Sequence, residues 1–214
     1  LEFLPRMGDT DEPMKINVIG AKGMLGSDLA VMARADGFAV SEYDLPELDI
    51  VSGNGFDALK DCDWLVNCAA YTNVDGAEKE ADKAFAVNRD GVSRLASWCS
   101  CKGAGFLSIS TDYVFDGRLD KPLTEDDPVN PLSVYGKSKL AGEQEMQKLC
   151  DQYIIVRTQS LFGKNGPNFV KAIMSQIKNG KKQIDVVRDQ ISCPTYTKHL
   201  SLAILRLLKK ARTG

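Results

Sequence analysis

Short apolar runs alternate with longer segments of helical periodicity along most of the chain. Five runs predict buried strands. They are KINVIG (15–20), FAVSEYD (38–44), DWLVNCAA (63–70), GFLSIST (105–111) and YIIVRT (153–158). Helices are predicted over about 24–34, 77–102 and 133–149, with a short helix between the second and third strands. Such alternation forms right-handed β-α-β units, so we predict an α/β fold with a doubly wound, Rossmann-like parallel sheet.

The pattern becomes less regular after Thr158. Helices are predicted over 168–178 and 197–211, with IDVV (184–187) as a short strand between them. The sequence stops at Gly214, where a turn into another strand is expected. We therefore expect the last part of the chain to be an incomplete lobe.

Composition and charge narrow the functional classes. The net charge of -2 gives no electrostatic reason to expect nucleic acid or an anionic membrane as partner. The 6 cysteines form no C-x-x-C pair and His199 is the single histidine, so no metal site is expected. Reduced thiols in the cytoplasm are the expectation. No apolar run approaches the roughly 20 residues of a membrane span.

A glycine-rich loop follows the first predicted strand. GAKGMLG places Gly20, Gly23 and Gly26 in G-x-x-G-x-x-G spacing. The first glycine permits a tight turn, the second lets the backbone approach a pyrophosphate, and the third lets the helix pack against the sheet. Met24 and Leu25 open that helix, where free N–H groups can face the phosphates. The loop predicts a dinucleotide cofactor, NADPH or NADH.

Three residues bear on the adenosine end of this cofactor. Asp44 closes the second strand, where an acid can bind a ribose 2′-hydroxyl, which favours NAD. Lys22 lies in the glycine loop and could meet a 2′-phosphate, which favours NADP, although a solvated lysine explains it equally well. Asp49 of the LDI turn is a candidate adenine contact, with a loop-capping aspartate as the equal alternative. The choice of cofactor stays open.

A tyrosine and a lysine stand in Y-x-x-x-K spacing on a predicted helix. Tyr135 and Lys139 share one face at i and i+4. A phenol has a pKa near ~10, which a nearby ammonium lowers, so the pair can act as a general acid when a carbonyl is reduced. Thr111 ends the fourth strand at the carboxyl edge, where its hydroxyl can hold the substrate oxygen beside Tyr135. With the glycine loop, this trio predicts a reductase.

Several segments together carry a resemblance to a known family. They are GAKGMLG, LDI, VNCAAYTNVDGAE (66–78), VNRDG (87–91), STDYVFDG (110–117), PLSVYGKSKLAGE (131–143), RTQSLFG (157–163), NFV (168–170) and DQISCPTY (189–196). Over residues 14–214 the sequence resembles the dTDP-4-dehydrorhamnose reductases of the extended short-chain dehydrogenase/reductase superfamily. The resemblance implies reduction of the 4-keto group of dTDP-4-dehydro-L-rhamnose by NADPH or NADH.

The resemblance also implies roles for individual residues. Thr111, Tyr135 and Lys139 would be the catalytic trio, and Tyr135 would protonate the new alkoxide. The further residues that it places at the cofactor are Ala69, Ala70, Tyr71 and Asn88, and those at the sugar nucleotide are Thr72, Val74, Asp112, Tyr113 and Asn168. Ser160 stands where the family usually has a tryptophan, which removes a flat apolar face from the sugar side.

These expectations divide the chain into three parts. Residues 1–13 lack periodicity and are predicted to be a disordered tail. Residues 14–160 are predicted to form the NAD(P)-binding Rossmann domain. Residues 161–214 are predicted to form a partial substrate-binding lobe with a returning helix.

Other functions remain open beside the reductase. A nucleotide-sugar epimerase matches less of the chain, and a dehydratase usually has Asp-Glu where this chain has Asp112 and Tyr113. A regulatory subunit resembling the methionine adenosyltransferase beta subunit would bind NADP(H) and a partner without turnover. The Tyr135–Lys139 pair favours catalysis over that role. The expected partner is the nucleotide-sugar substrate, without nucleic acid or membrane, and a homodimer stays open.

Overall fold

The computed structural model describes residues 12–118, 121–188 and 191–210. The predicted tail therefore lies almost entirely outside the described residues, as do Asp189, Gln190 and the turn expected after the last helix.

Five parallel strands form the central sheet. They are β1 (Lys15–Ile19), β2 (Ala39–Tyr43), β3 (Trp64–Asn67), β4 (Gly105–Thr111) and β5 (Tyr153–Thr158). Their order is β2-β1-β3-β4-β5, and every neighbouring pair is parallel. The order reverses between β1 and β3, and ligands bind at the carboxyl ends of strands at such a switch point. The predicted doubly wound, Rossmann-like sheet is confirmed.

Helices follow the strands as the β-α-β pattern requires. They are α1 (Met24–Ala35), α2 (Val74–Ala77), α3 (Ala81–Phe85), α4 (Val92–Lys102), α5 (Val134–Leu149), α6 (Phe169–Lys178) and α7 (Thr197–Lys210). Single 3₁₀ turns occur at Phe56–Ala58 and Asp112–Val114. Two short parallel strands, β6 (Leu161–Phe162) and β7 (Thr195–Tyr196), form a second small sheet.

Each face of the sheet is covered by its own apolar cluster. On one face, α1 and α7 bury Leu29 and Ile204 against Val18. On the other, α4 and α5 bury Leu95 and Met146 in a cluster that includes the strand residues Leu65 and Phe106. Because α7 packs on α1, the two helices lie on the same face of the sheet. The division of the chain at residue 160 stays a prediction.

Two predicted elements differ from the structure. The segment IDVV (184–187) is not a strand, because it lies in irregular backbone and Val187 is 67% exposed, with no partner strand among the described residues. The long helix predicted over 77–102 is interrupted by a π-helical turn at Ala86–Gly91. Wider turns of this kind often occur at functional sites, and this one carries Asn88.

Among the described helices, none combines the length and the apolarity that crossing a membrane requires.

Candidate active site

The glycine loop is shaped by positions where a side chain would not fit. Gly20 has φ +74°, and a Cβ there would lie 2.7 Å from the backbone nitrogen of Ala69, just after β3. A Cβ on Gly26 would lie 2.2 Å from the carbonyl oxygen of Gly20. The N–H groups of Gly20 and Ala21 both donate to the carbonyl of Tyr43 at the end of β2. The loop is therefore fixed at the switch point.

Helix α1 begins at this loop with its N–H groups available. Gly23 precedes the helix, no side chain caps it, and its first turn carries no acidic residue. Such an N-terminus binds phosphate through its N–H groups and its dipole. The Leu25 side chain is buried in the core, so its contribution to an anion would come from the backbone. The glycine cradle and the uncapped helix together fit a dinucleotide pyrophosphate.

Lys22 and Asp44, which favour different cofactors, lie together in the structure. The Asp44 carboxylate accepts hydrogen bonds from the backbone N–H groups of Lys22 (2.7 Å) and Leu45 (2.8 Å). The Lys22 ammonium donates to the carbonyl of Leu45 at 2.9 Å and pairs with Glu47 at 3.1 Å. The Asp44 carboxylate and the Lys22 ammonium therefore both lie where the ribose is expected, and each is already hydrogen-bonded to neighbouring groups.

Asp49 has the contacts of a loop-capping residue. Its carboxylate accepts hydrogen bonds from the Val51 N–H group and from the Ser52 hydroxyl, both at 2.8 Å. These two hydrogen bonds hold the pKa of Asp49 below its usual range. A role for Asp49 at the adenine stays a prediction.

Asn88 links the segment after β3 to the catalytic helix. It is 1% exposed, and its amide exchanges two hydrogen bonds with the backbone of Tyr71, at 2.9 Å to N and 3.1 Å to O. It also donates to the Ser138 hydroxyl at 3.0 Å. Close packing supports the link, because a Cβ on Gly142 would lie 2.1 Å from the carbonyl oxygen of Asn88. Ala69 and Ala70 precede Tyr71 and are half-buried.

The structure brings the predicted catalytic trio to the carboxyl edge of β4. The Thr111 hydroxyl lies near the Tyr135 phenol, close enough to influence its pKa. Lys139, buried one helical turn after Tyr135, donates to the carbonyl of Ile109 at 2.7 Å. Helix α5 can approach this edge because Gly136, where a Cβ would lie 2.2 Å from the Tyr113 carbonyl, has no side chain.

Burial changes the pKa values of Tyr135 and Lys139. It raises the pKa of Tyr135 to about 12, and the nearby Thr111 hydroxyl opposes the shift only in part. The expected lowering of the Tyr135 pKa by Lys139 is wrong, because burial dominates this pKa and Lys139 is not among the groups that shift it. Burial lowers the pKa of Lys139 to about 8. The phenol is therefore fully protonated at neutral pH and available as a proton donor.

The predicted substrate residues fall into two groups. Asp112 and Tyr113 lie next to the trio: the Thr111 hydroxyl donates to Asp112 at 3.0 Å, and the Tyr113 ring meets that of Tyr135 edge-on at 5.7 Å. Burial raises the pKa of the Asp112 carboxyl. The remaining residues lie elsewhere along the chain. Thr72 is exposed after β3, Val74 begins α2, and Asn168 caps α6 with its amide bonded to Gly163 and Lys171.

Gln159 is a site residue that the sequence reasoning missed. With its amide turned to satisfy both neighbours, it donates to Asp112 Oδ2 at 3.0 Å and accepts from the Cys193 N–H group at 3.3 Å. Its position directly after β5, at the same sheet edge as Thr111, is the signal that could have found it. The next residue, Ser160, has φ +47° and accepts a hydrogen bond from Thr195 at 3.2 Å.

Comparisons with known proteins found a matching family and several similar proteins. A family model described as the RmlD substrate binding domain matches residues 14–214. A dTDP-4-dehydrorhamnose reductase of Sinorhizobium fredii is 37% identical over 201 residues, which are 92% of this chain and 67% of that protein. A spore coat polysaccharide biosynthesis protein of Bacillus subtilis is 38% identical over 197 residues, 90% of this chain and 69% of that protein.

Solved structures are similar over nearly the whole chain. A dTDP-4-dehydrorhamnose reductase from Clostridium acetobutylicum has a TM-score of 0.89 and 38% identity, covering 94% of this chain and 72% of that one. One from Bacillus anthracis, in complex with NADP, has a TM-score of 0.89 and 36% identity, covering 94% of this chain and 73% of that one. The chain thus spans about 67–73% of the length of these relatives.

Proposed function

This chain belongs to the RmlD substrate binding domain family, and on that premise we propose that it reduces the 4-keto group of dTDP-4-dehydro-L-rhamnose to give dTDP-L-rhamnose. The observation that carries the proposal is the convergence of Thr111, Tyr135 and Lys139 at the carboxyl end of β4 in the parallel sheet. The relatives named as reductases support this activity over a regulatory subunit without turnover.

The cofactor in this proposal is NADPH or NADH. When bound, its reduced nicotinamide supplies the hydride that adds to the keto carbon. Gly20, Gly23 and Gly26 would hold its pyrophosphate together with the start of α1, where Met24 and Leu25 offer backbone N–H groups. Ala69, Ala70 and Tyr71 would line it beyond β3. Asn88 would hold that segment in place through its two bonds to the Tyr71 backbone.

Tyr135 completes the reduction by proton transfer. Adding a hydride to the carbonyl carbon leaves a negative charge on the oxygen, and the Tyr135 hydroxyl gives its proton to that oxygen. Thr111, which lies near Tyr135, orients the same oxygen. The phenolate that forms is stabilised by the Lys139 ammonium one turn away. Solvent then returns the proton to Tyr135.

The sugar nucleotide would lie on the side of the catalytic trio that faces away from the cofactor. We assign Asp112 and Tyr113 to its binding because they touch the trio, and Gln159 because it fixes Asp112. Thr72, Val74 and Asn168 are assigned by family resemblance, with Asn168 acting as the cap that positions α6. A cytoplasmic location, a homodimer and the absence of nucleic-acid binding are part of the same proposal.

The test is turnover with a matched pair of tyrosine variants. The protein should oxidise NADPH or NADH when given dTDP-4-dehydro-L-rhamnose, and Tyr135→Phe should lower kcat by about 100- to 10,000-fold. Cofactor affinity should stay within about threefold, because the pyrophosphate site is untouched. Tyr153→Phe, at the start of β5, is the control and should leave kcat unchanged.

The products distinguish the alternatives. A relative from Streptomyces niveus, 36% identical, is named a dTDP-4-keto-6-deoxy-D-glucose reductase. Turnover of that substrate instead of the L-rhamno isomer would replace the proposed sugar and keep the chemistry. Tight cofactor binding without turnover of either sugar would refute the enzyme and favour the regulatory role.

A further inference from the structure

A small cavity lies between β4 and α5 and has Lys139 in its wall. Its volume is about 10 Å³, which is close to the least that holds one water molecule. Ser108, Ser110 and Glu143 are the other hydrogen-bonding side chains around it, together with Asn88. The Ser110 hydroxyl is buried and finds no hydrogen-bond partner among the described residues. Buried hydroxyls are normally paired, so this one points to a bound water.

Glu143 is a buried carboxylate that the proton-transfer step does not use. It lies one helical turn after Lys139 on α5 and is 6% exposed. Arg157 of β5 holds both of its oxygens, at 3.0 Å from Nε and 2.6 Å from Nη2. The same guanidinium lies over the Phe115 ring at 5.1 Å. A buried charge is costly unless it is paired, and Arg157 supplies this pairing for Glu143.

We propose that Glu143 is a positioning residue that keeps Lys139 protonated and fixed at neutral pH. Arg157 holds the carboxylate in place, and one water molecule bound by Ser110 links it to the ammonium. The inference rests on the proposed function, since that function gives Lys139 its role beneath Tyr135.

Among the residues that the structure describes, Glu143 is the negatively charged group that acts on Lys139. The Ile109 carbonyl of β4 accepts its hydrogen bond, and Asn88 of the π-helical turn is neutral. The Cys68 thiol after β3 is neutral at neutral pH, because burial raises its pKa to about 12. Burial lowers the pKa of Lys139 to about 8, while the charge of Glu143 acts in the opposite direction. Without that charge the lysine would lose its proton at lower pH.

The proposal predicts a displaced pH profile. Because the reduction needs a protonated lysine, kcat should be constant at lower pH and fall as the pH rises through about 8. In Glu143→Gln this fall should begin about one pH unit lower, which makes kcat roughly fivefold lower at pH 8 and unchanged near pH 6. General structural damage would instead lower kcat at every pH.

The deciding measurement is the pKa of Lys139 itself, followed by side-chain NMR and assigned with Lys139→Arg. It is made without cofactor or substrate, so its outcome is separate from that of the turnover test. Glu143→Gln should lower this pKa by about one unit. The control is Glu145→Gln on the same helix, where Glu145 pairs with Lys148 at 2.8 Å, and it should change nothing. An unchanged Lys139 pKa in Glu143→Gln would overturn the proposal.

A second variant tests the water link and decides the matter if Glu143→Gln does not fold. Ser110→Val fills the cavity and leaves the Glu143–Arg157 pair intact. We expect it to lower the Lys139 pKa by about half a unit, because the carboxylate then reaches the ammonium less effectively. No change in Ser110→Val would overturn the link through water, and with it the proposal as stated.

Discussion

The proposed phosphate end and the proposed catalytic end of the site are built from different kinds of groups. The phosphate end is formed by backbone groups and by glycines that leave no room for a side chain. At Gly26, for example, a Cβ would lie 2.2 Å from the Gly20 carbonyl. At the catalytic end the site consists of buried polar side chains, with Asn88 1% and Lys139 5% exposed. The first end should therefore be sensitive to added atoms, and the second to the removal of polar groups.

The difference follows from what each end has to bind. A pyrophosphate carries its own charge, so N–H groups and a helix dipole suffice to hold it and no buried cation is needed. A keto group becomes charged only during the reaction, so the catalytic end must hold a proton donor and an ammonium in advance. Keeping that ammonium out of water lowers its pKa to about 8, and the surrounding polar groups limit the shift.

The largest expected effect is at the phosphate end. Gly26→Ala should destabilise the protein by about 3 kcal/mol, because its Cβ would meet the Gly20 carbonyl at 2.2 Å. It should also weaken NADPH binding by at least about tenfold, since α1 must move away from the loop. Denaturant unfolding and fluorescence titration with NADPH measure the two effects.

Gly23→Ala is the matched control for this prediction. Its Cβ would lie 3.1 Å from the same carbonyl, so the stability loss should be about 1 kcal/mol or less. NADPH binding should still weaken, because the new methyl group faces the phosphates. If both variants lost the same stability, close packing at Gly26 would not be what defines this end.

At the catalytic end the largest loss should come from removing a polar group. Asn88→Ala deletes three hydrogen bonds, to the backbone N and O of Tyr71 and to Ser138, in a buried site. We expect a loss of about 2 kcal/mol in the free energy of unfolding, since the partners stay buried without replacements. The control is Asn130→Ala, whose exposed amide bonds Asp116 at 3.2 Å. Equal losses in the two variants would contradict the central role of Asn88.

The sheet was predictable because its signals are local. Each apolar run of β1, β3, β4 and β5 is long enough to be buried on both faces, and a glycine loop follows β1. IDVV (184–187) is also a short, mostly apolar run, yet it forms no strand. A strand needs a neighbouring strand to pair with, as well as apolar residues. Pairing is a tertiary property, so a short isolated run is the weakest evidence for a strand.

The site was predictable only in part, for a similar reason. Spacing on one helix predicts that Tyr135 and Lys139 share a face, but it cannot show how deeply they are buried. The raised pKa of Tyr135 and the lowered pKa of Lys139 follow from that burial. Glu143 and Arg157 meet only because α5 packs on β5, so their pairing has no signal along the chain.

The smallest expected effect on cofactor binding lies at the outer edge of the phosphate end, where the site includes an exposed side chain. The Lys22 ammonium is exposed and is shared between the Leu45 carbonyl and Glu47. If it faces the 2′-position, Lys22→Ala should weaken NADPH binding by about threefold and leave NADH binding unchanged, because exposed charges are screened by water and salt. Glu47→Gln, which frees the ammonium, should strengthen NADPH binding by a similar factor. Titrations with both cofactors at low salt measure these effects. Equal loss of NADH and NADPH affinity in Lys22→Ala would show that the lysine supports the loop instead of reading the phosphate, and Asp44 would then be left to set the preference alone.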